Sequence, residues 1–75
     1  MQAFVLVQTE VGKALLIAEL IRQLPGVLTA EDVLGPYDVV VRVEAADGTE
    51  LPGVVKQIQR VSGITRTLTC QVAAH

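Results

Sequence analysis

Leu24-Pro25-Gly26-Val27 and Val61-Ser62-Gly63-Ile64 are the two stretches whose reading decides the fold. Each closes a helical pattern and opens a strand-like run, and the second glycine follows the first by 37 positions. Upstream of each lies another strand-like run, Phe4-Val5-Leu6-Val7 and Val39-Val40-Val41. The chain therefore reads as one β-α-β unit written twice. Two such units in 75 residues imply an α+β domain, a four-stranded antiparallel sheet with two helices on one face. The other face of that sheet is left uncovered.

A domain this small buries only about 60% of its unfolded surface, so it needs a disulfide, a metal or a partner chain. The single cysteine, Cys70, cannot close an internal disulfide, and the single histidine, His75, cannot organise a metal site from the last position. Self-association remains. Apolar residues make up 51% of the chain and charged residues 19%, an apolar balance that points to an interface. The formal net charge is −2 and no Lys/Arg cluster exists, which argues against a phosphate-tracking surface. The only aromatic residues are Phe4 and Tyr37, too few for a base-stacking sheet. No apolar run reaches the roughly 18 residues that span a bilayer, and no signal-peptide pattern opens the chain. The expectation is a cytoplasmic protein that touches neither membrane nor nucleic acid.

Gln2 to Thr9 reads as a strand that is apolar on both faces, hence central and covered on both sides. Val11 to Leu24 reads as a helix with Thr9 as N-cap and a buried stripe of Ala14, Ile17, Ala18, Ile21 and Leu24. Leu15 and Leu16 fall outside the stripe, either as isolated exposed leucines or as a second contact surface. Val27 to Leu34 and Val39 to Ala45 read as an antiparallel hairpin around a Gly35-Pro36-Tyr37-Asp38 turn. Asp47-Gly48-Thr49 opens a second helix with Pro52 in its first turn and a stripe of Leu51, Val54, Val55, Ile58 and Val61; Gly53 should fray its start. Ile64 to Val72 is the last strand. Arg66 falls in phase with Leu68 and Cys70, so either a bulge shifts the phase or Arg66 reaches a carboxylate at an edge.

No catalytic constellation is present. Cys70 has no neighbouring histidine and no CxxC spacing, and reads as a small buried hydrophobe. No glycine-rich phosphate loop occurs, so neither an enzyme nor a cofactor is expected. Gly35-Pro36-Tyr37-Asp38 is fully explained as a turn, except that Tyr37 sits at a loop tip and Asp38 follows it. Such a loop offers amides to a carboxylate while Asp38 accepts from an ammonium, the two sites a free amino acid needs.

The hairpin Gly35-Pro36-Tyr37-Asp38-Val39-Val40, the two helix ends and the run Thr65-Arg66-Thr67-Leu68-Thr69 resemble the effector-binding half of the Lrp/AsnC regulators. That half is the RAM domain, named for regulation of amino acid metabolism. The resemblance covers essentially the whole chain. It implies a ferredoxin-like βαββαβ fold, a dimer made by sheets packed face to face, and rings that are commonly octameric. It also implies that amino acids or related small effectors bind in clefts between dimers. Gly35, Tyr37 and Asp38 would then line the cleft, with Thr67 and Thr69 as hydroxyl donors on the last strand. Pro36 replaces the polar residue often seen in the loop, which stiffens it and removes one amide donor. The family's helix-turn-helix domain has no counterpart, so residues 1–75 are expected to be a single stand-alone RAM domain.

The expected function is a non-catalytic, amino-acid-binding oligomer linked to transcriptional control of amino acid metabolism. The alternatives are an assembly partner of full-length Lrp/AsnC regulators that binds no ligand, and a small ferredoxin-like dimeric enzyme. The ACT domain shares the element order and the habit of binding amino acids; the Gly-Pro-Tyr-Asp hairpin favours RAM.

Overall fold

In a computed structural model, described over residues 1–74, the element order is β1 (Gln2–Thr9), α1 (Ala14–Arg22), β2 (Val27–Asp32), β3 (Val39–Glu44), α2 (Leu51–Gln59) and β4 (Ile64–Gln71). His75, set aside above as a metal or proton-transfer group, lies outside the described residues. The strands pair antiparallel in the order β2-β3-β1-β4, and the helices cover one face. This is the ferredoxin-like arrangement that the repeated helix ends predict. β1 is central, as its two apolar faces require.

Alternation along the strands builds the core. Ala3, Val5 and Val7 of β1, Val39, Val41 and Val43 of β3 and Ala30 of β2 are buried toward the helices. The helices answer with Ile17, Ala18 and Ile21 from α1 and Leu51 and Ile58 from α2. Both stripes match the sequence reading, with Ala14, Leu24, Val54, Val55 and Val61 packed at their margins. Each large aliphatic buried in this way contributes about 1.5–3 kcal/mol. Arg22 Nε donates to the carbonyl of Ala30 at 2.7 Å and fixes the end of α1 over β2.

Gly26 and Gly63 lock the layers. Both have left-handed backbones, with φ of 87° and 97°. A Cβ on Gly26 would lie 3.1 Å from the Glu44 carbonyl and 3.2 Å from Val54; one on Gly63 would lie 3.0 Å from Ile17. Each unit's exit glycine therefore accepts the helix of the other unit. Their carbonyls take equivalent bonds, from Glu44 N–H to Gly26 and from Glu10 N–H to Gly63, both at 2.8 Å.

Several boundaries differ from the sequence reading. The first helix starts at Ala14 with Lys13 as N-cap, not at Val11 with Thr9 as cap. Gly12, at φ 81°, turns the chain out of the helical path, and the Thr9 hydroxyl donates to the Glu10 carbonyl at 3.0 Å and caps no helix amide. Glu10 and Lys13 close that turn through a 3.1 Å ion pair. The β2–β3 connection is longer than the tight turn expected, because β2 stops at Asp32. The third and fourth strands end at Glu44 and Gln71, one residue short of the reading. Ahead of α2, Asp47 Oδ1 accepts from the Thr49 hydroxyl at 2.6 Å and from the Thr49 and Glu50 amides at 2.9 and 3.2 Å. The Thr49 hydroxyl, then these amides, hold the Asp47 carboxyl below its ordinary pKa. Pro52 sits in the first turn as expected.

The open face of the sheet has an apolar centre and polar ends. Phe4 and Leu6 of β1 and Val40 of β3 are half-buried there, and Leu68 of β4 is 43% exposed. Cys70 pairs with Phe4 on this face and is exposed, contrary to the expectation of a buried hydrophobe. The reason is topological: β4 is an edge strand, and no layer of the same chain covers this face. At one end the Arg42 guanidinium lies 5.2 Å from the Phe4 ring centre and its Nε donates to Gln2 at 2.8 Å. Among the described residues no helix is long and apolar enough to cross a membrane.

The glycine lock gives a direct test. Gly63→Ala forces a Cβ both into a left-handed backbone and against Ile17, whereas Gly12→Ala meets nothing within 4 Å. Gly12→Ala should cost about 1–2 kcal/mol from the backbone alone. Urea denaturation should show Gly63→Ala costing measurably more; equal losses would mean that the helix does not press on the glycine.

Candidate functional site

The β2–β3 loop runs from Val33 to Asp38 and is stitched to the end of β1. Val33 N–H donates to the Asp38 carbonyl at 2.8 Å and closes the loop on itself. Asp38 N–H donates to the Val7 carbonyl at 2.9 Å. The Asp38 carboxylate reaches past the loop: its Oδ2 accepts from Thr9 N–H at 2.8 Å. Gln8 Nε2 adds a 3.1 Å bond to the Pro36 carbonyl. Three consecutive residues of the central strand thus hold the loop.

Asp38 has a place different from the one its sequence position suggests. It binds the amide of β1, not an amide of its own turn, and so acts as a strut. No other hydrogen bond to its carboxylate forms among the described residues, which leaves Oδ1 able to accept from a ligand. Tyr37 is half-buried beside it, and Gly35 is exposed with no atom within 4 Å of where a Cβ would stand. The loop has room to meet a ligand or a neighbouring chain.

The two threonines sit elsewhere. Thr67 pairs with Val7, and Thr69 pairs with Val5, on the helix side of the sheet. Thr67 Oγ1 accepts from Gln59 Nε2 at 2.9 Å. Thr69 lines an open, mostly apolar groove of about 390 Å³ between α2 and β4, with Leu51, Pro52, Val55, Lys56 and Gln59. This groove is not at the loop. Within one chain, Gly35, Tyr37 and Asp38 come together, Thr67 lies across β1 from them, and Thr69 lies further along the strand.

Gln8 and Thr9 are contacts the sequence reading did not single out. Gln8 had a signal, since a polar residue in phase with Phe4 and Leu6 interrupts an apolar face. Thr9 had none, because it contributes through its backbone amide.

Three comparisons bear on this site. A family model described as the Lrp/AsnC ligand binding domain matches residues 2–74. The crystal structure of TTHA0845 from Thermus thermophilus superposes with a TM-score of 0.90 at 36% identity, covering 99% of this chain and 94% of that one. Transcriptional regulator NMB0573 from Neisseria meningitidis, in its L-Met complex, superposes at 0.82 with 21% identity, covering 97% of this chain and 49% of that one, a likeness of fold. In sequence, 49 residues are 41% identical to a homocitrate synthase of Sulfurisphaera tokodaii, covering 65% of this chain and 11% of that protein. The chain spans about a tenth of the length of the homocitrate synthases it matches.

The strut predicts separable effects. Asp38→Ala removes the acceptor from Thr9 N–H and should destabilise the domain by about 1–3 kcal/mol. Asp38→Asn keeps an acceptor oxygen and should recover most of that loss. Amide exchange at Thr9 should accelerate in the alanine variant first; unchanged protection would show that the carboxylate does not hold the strand.

Proposed function

Because this chain belongs to the Lrp/AsnC ligand binding domain family, we propose that it is a non-catalytic regulatory domain that binds a free amino acid beside the β2–β3 loop. The carrying observation is the Asp38 carboxylate, positioned by Thr9 through one oxygen and with no second protein partner among the described residues. It can accept from an ammonium group without rearranging. Gly35 and Tyr37 supply the surrounding loop, and the L-Met complex of NMB0573 supports an amino acid as the ligand class. Thr67 and Thr69 belong to this reading only as donors reached across a subunit boundary.

The site is completed by self-association. The open sheet face has the make-up of an interface, with Leu6, Val40 and Leu68 at the centre and charged residues at the ends. A second copy packed on it supplies the burial that so small a domain lacks. Further assembly into a ring brings loops of neighbouring dimers together.

The homocitrate synthase matches favour a second setting for the same module. There the domain would report an amino acid level to a biosynthetic enzyme instead of to a DNA-binding regulator. The ligand chemistry is common to both settings.

Thermal melts with each common amino acid at about 10 mM test the reading. A ligand at 100 times its dissociation constant stabilises by about 2.7 kcal/mol, several degrees for a domain of this size. One or a few amino acids should raise the melting temperature, and Asp38→Asn should abolish the rise. A flat panel from a folded oligomer would favour the assembly-partner role. Leu68→Arg places a charge at the centre of the open face and should lower the mass seen by light scattering. An unchanged mass would move the interface elsewhere.

A further inference from the structure

We propose that Arg66 is the carboxylate anchor of the effector site, facing Asp38 across the Gln8–Thr9 step of β1; this rests on the amino-acid-binding reading above. Arg66 is the odd residue of the open face. Lys13 is paired with Glu10, Arg22 is bonded to Ala30, and Arg42 lies on Phe4 and Gln2. Lys56 and Arg60 stand on the solvated side of α2. Arg66 alone carries a free guanidinium at the loop end of the sheet, and among the described residues it forms no hydrogen bond or ion pair.

The sequence reading offered two ways to relieve this arginine, and the structure uses neither. The bulge lies just beyond it: Gln8 pairs with Arg66, while Thr9 pairs with Ile64. Thr65 is left over, and Arg66 stays in phase with Leu68. Among the described residues no carboxylate reaches it.

Its register partner Gln8 is the residue that holds the Pro36 carbonyl, and the next residue, Thr9, holds Asp38. The carboxylate and the guanidinium therefore flank the same two residues of β1 from opposite sides. Asp38 adjoins β3 and Arg66 lies on β4, the two strands that flank β1, and among the described residues the two charges form no ion pair with each other. A small zwitterion laid across Gln8 and Thr9 would set its ammonium on Asp38 and its carboxylate on Arg66.

The test compares amino acids with their decarboxylated amines by titration calorimetry on the assembled protein. Wild type should bind the amino acid found in the melt panel and reject its amine by about tenfold or more. Arg66→Gln should weaken the amino acid to the level of the amine, and Arg66→Lys should restore part of the difference. Arg66 is exposed, so a melt without ligand checks that the variants remain folded. Full affinity and full discrimination in Arg66→Gln would overturn the anchor while leaving the amino-acid reading intact. A wild type that binds no amino acid would overturn both.

Discussion

The close approach of two helices to a sheet face whose buried residues are only alanine and valine is the constraint on which the rest of the structure depends. Ala3, Val5, Val7, Ala30, Val39, Val41 and Val43 present no side chain larger than valine to the helix layer. The isoleucines of α1 and α2 fill the space above them, and the helices sit low enough to press on the strands' entry points. A Cβ there would meet neighbours at 3.0–3.3 Å on a left-handed backbone that favours glycine. Gly26 lies under Val54 and Gly63 under Ile17, and Val54 follows Ile17 by the same 37 positions that separate the glycines. The repeat visible in the chain is thus a repeat of packing, in which each half closes on the other.

This explains which parts of the fold were legible. Helix ends, stripes and strand phases depend on local chemistry that a residue states by itself. Pro25-Gly26 and Ser62-Gly63 stop helices wherever they stand, and the stripes of both helices follow from 100° spacing. The start of α1 was misread because Thr9 is a good cap in isolation. Thr9 is instead the last residue of β1, its amide bound to Asp38 29 residues away, and the left-handed Gly12 turns the chain before the helix begins. Cys70 was misread for a related reason. Its phase was right, but whether that phase is covered depends on strand order, which places β4 at an edge.

The candidate site was legible as a loop and not as a geometry. Composition marked Gly35, Tyr37 and Asp38, and the structure brings them together at the end of β1. It could not mark how Asp38 is held, since a backbone amide leaves no trace in composition. Thr67 and Thr69 were grouped with the loop through the family resemblance. Strand parity sends them to the helix side, one against Gln59 and the other into the α2 groove. For those two residues, reach into an effector site has to come from the neighbouring subunit's geometry.

β1 is where the two halves of the proposed function meet. Its inner residues are the middle of the core, and Phe4 and Leu6 are the middle of the open face. Its last residues, Val7, Gln8 and Thr9, hold the loop. A ligand drawn onto Asp38 therefore acts on the strand that also carries the association surface. Packed strands shift as units because a close-packed interior has little slack. Linkage then makes the effect reciprocal: a ligand that favours one assembly is bound more tightly by that assembly, by the same factor. On the proposed reading, one loop, one central strand and one uncovered face would suffice to couple an amino acid to assembly.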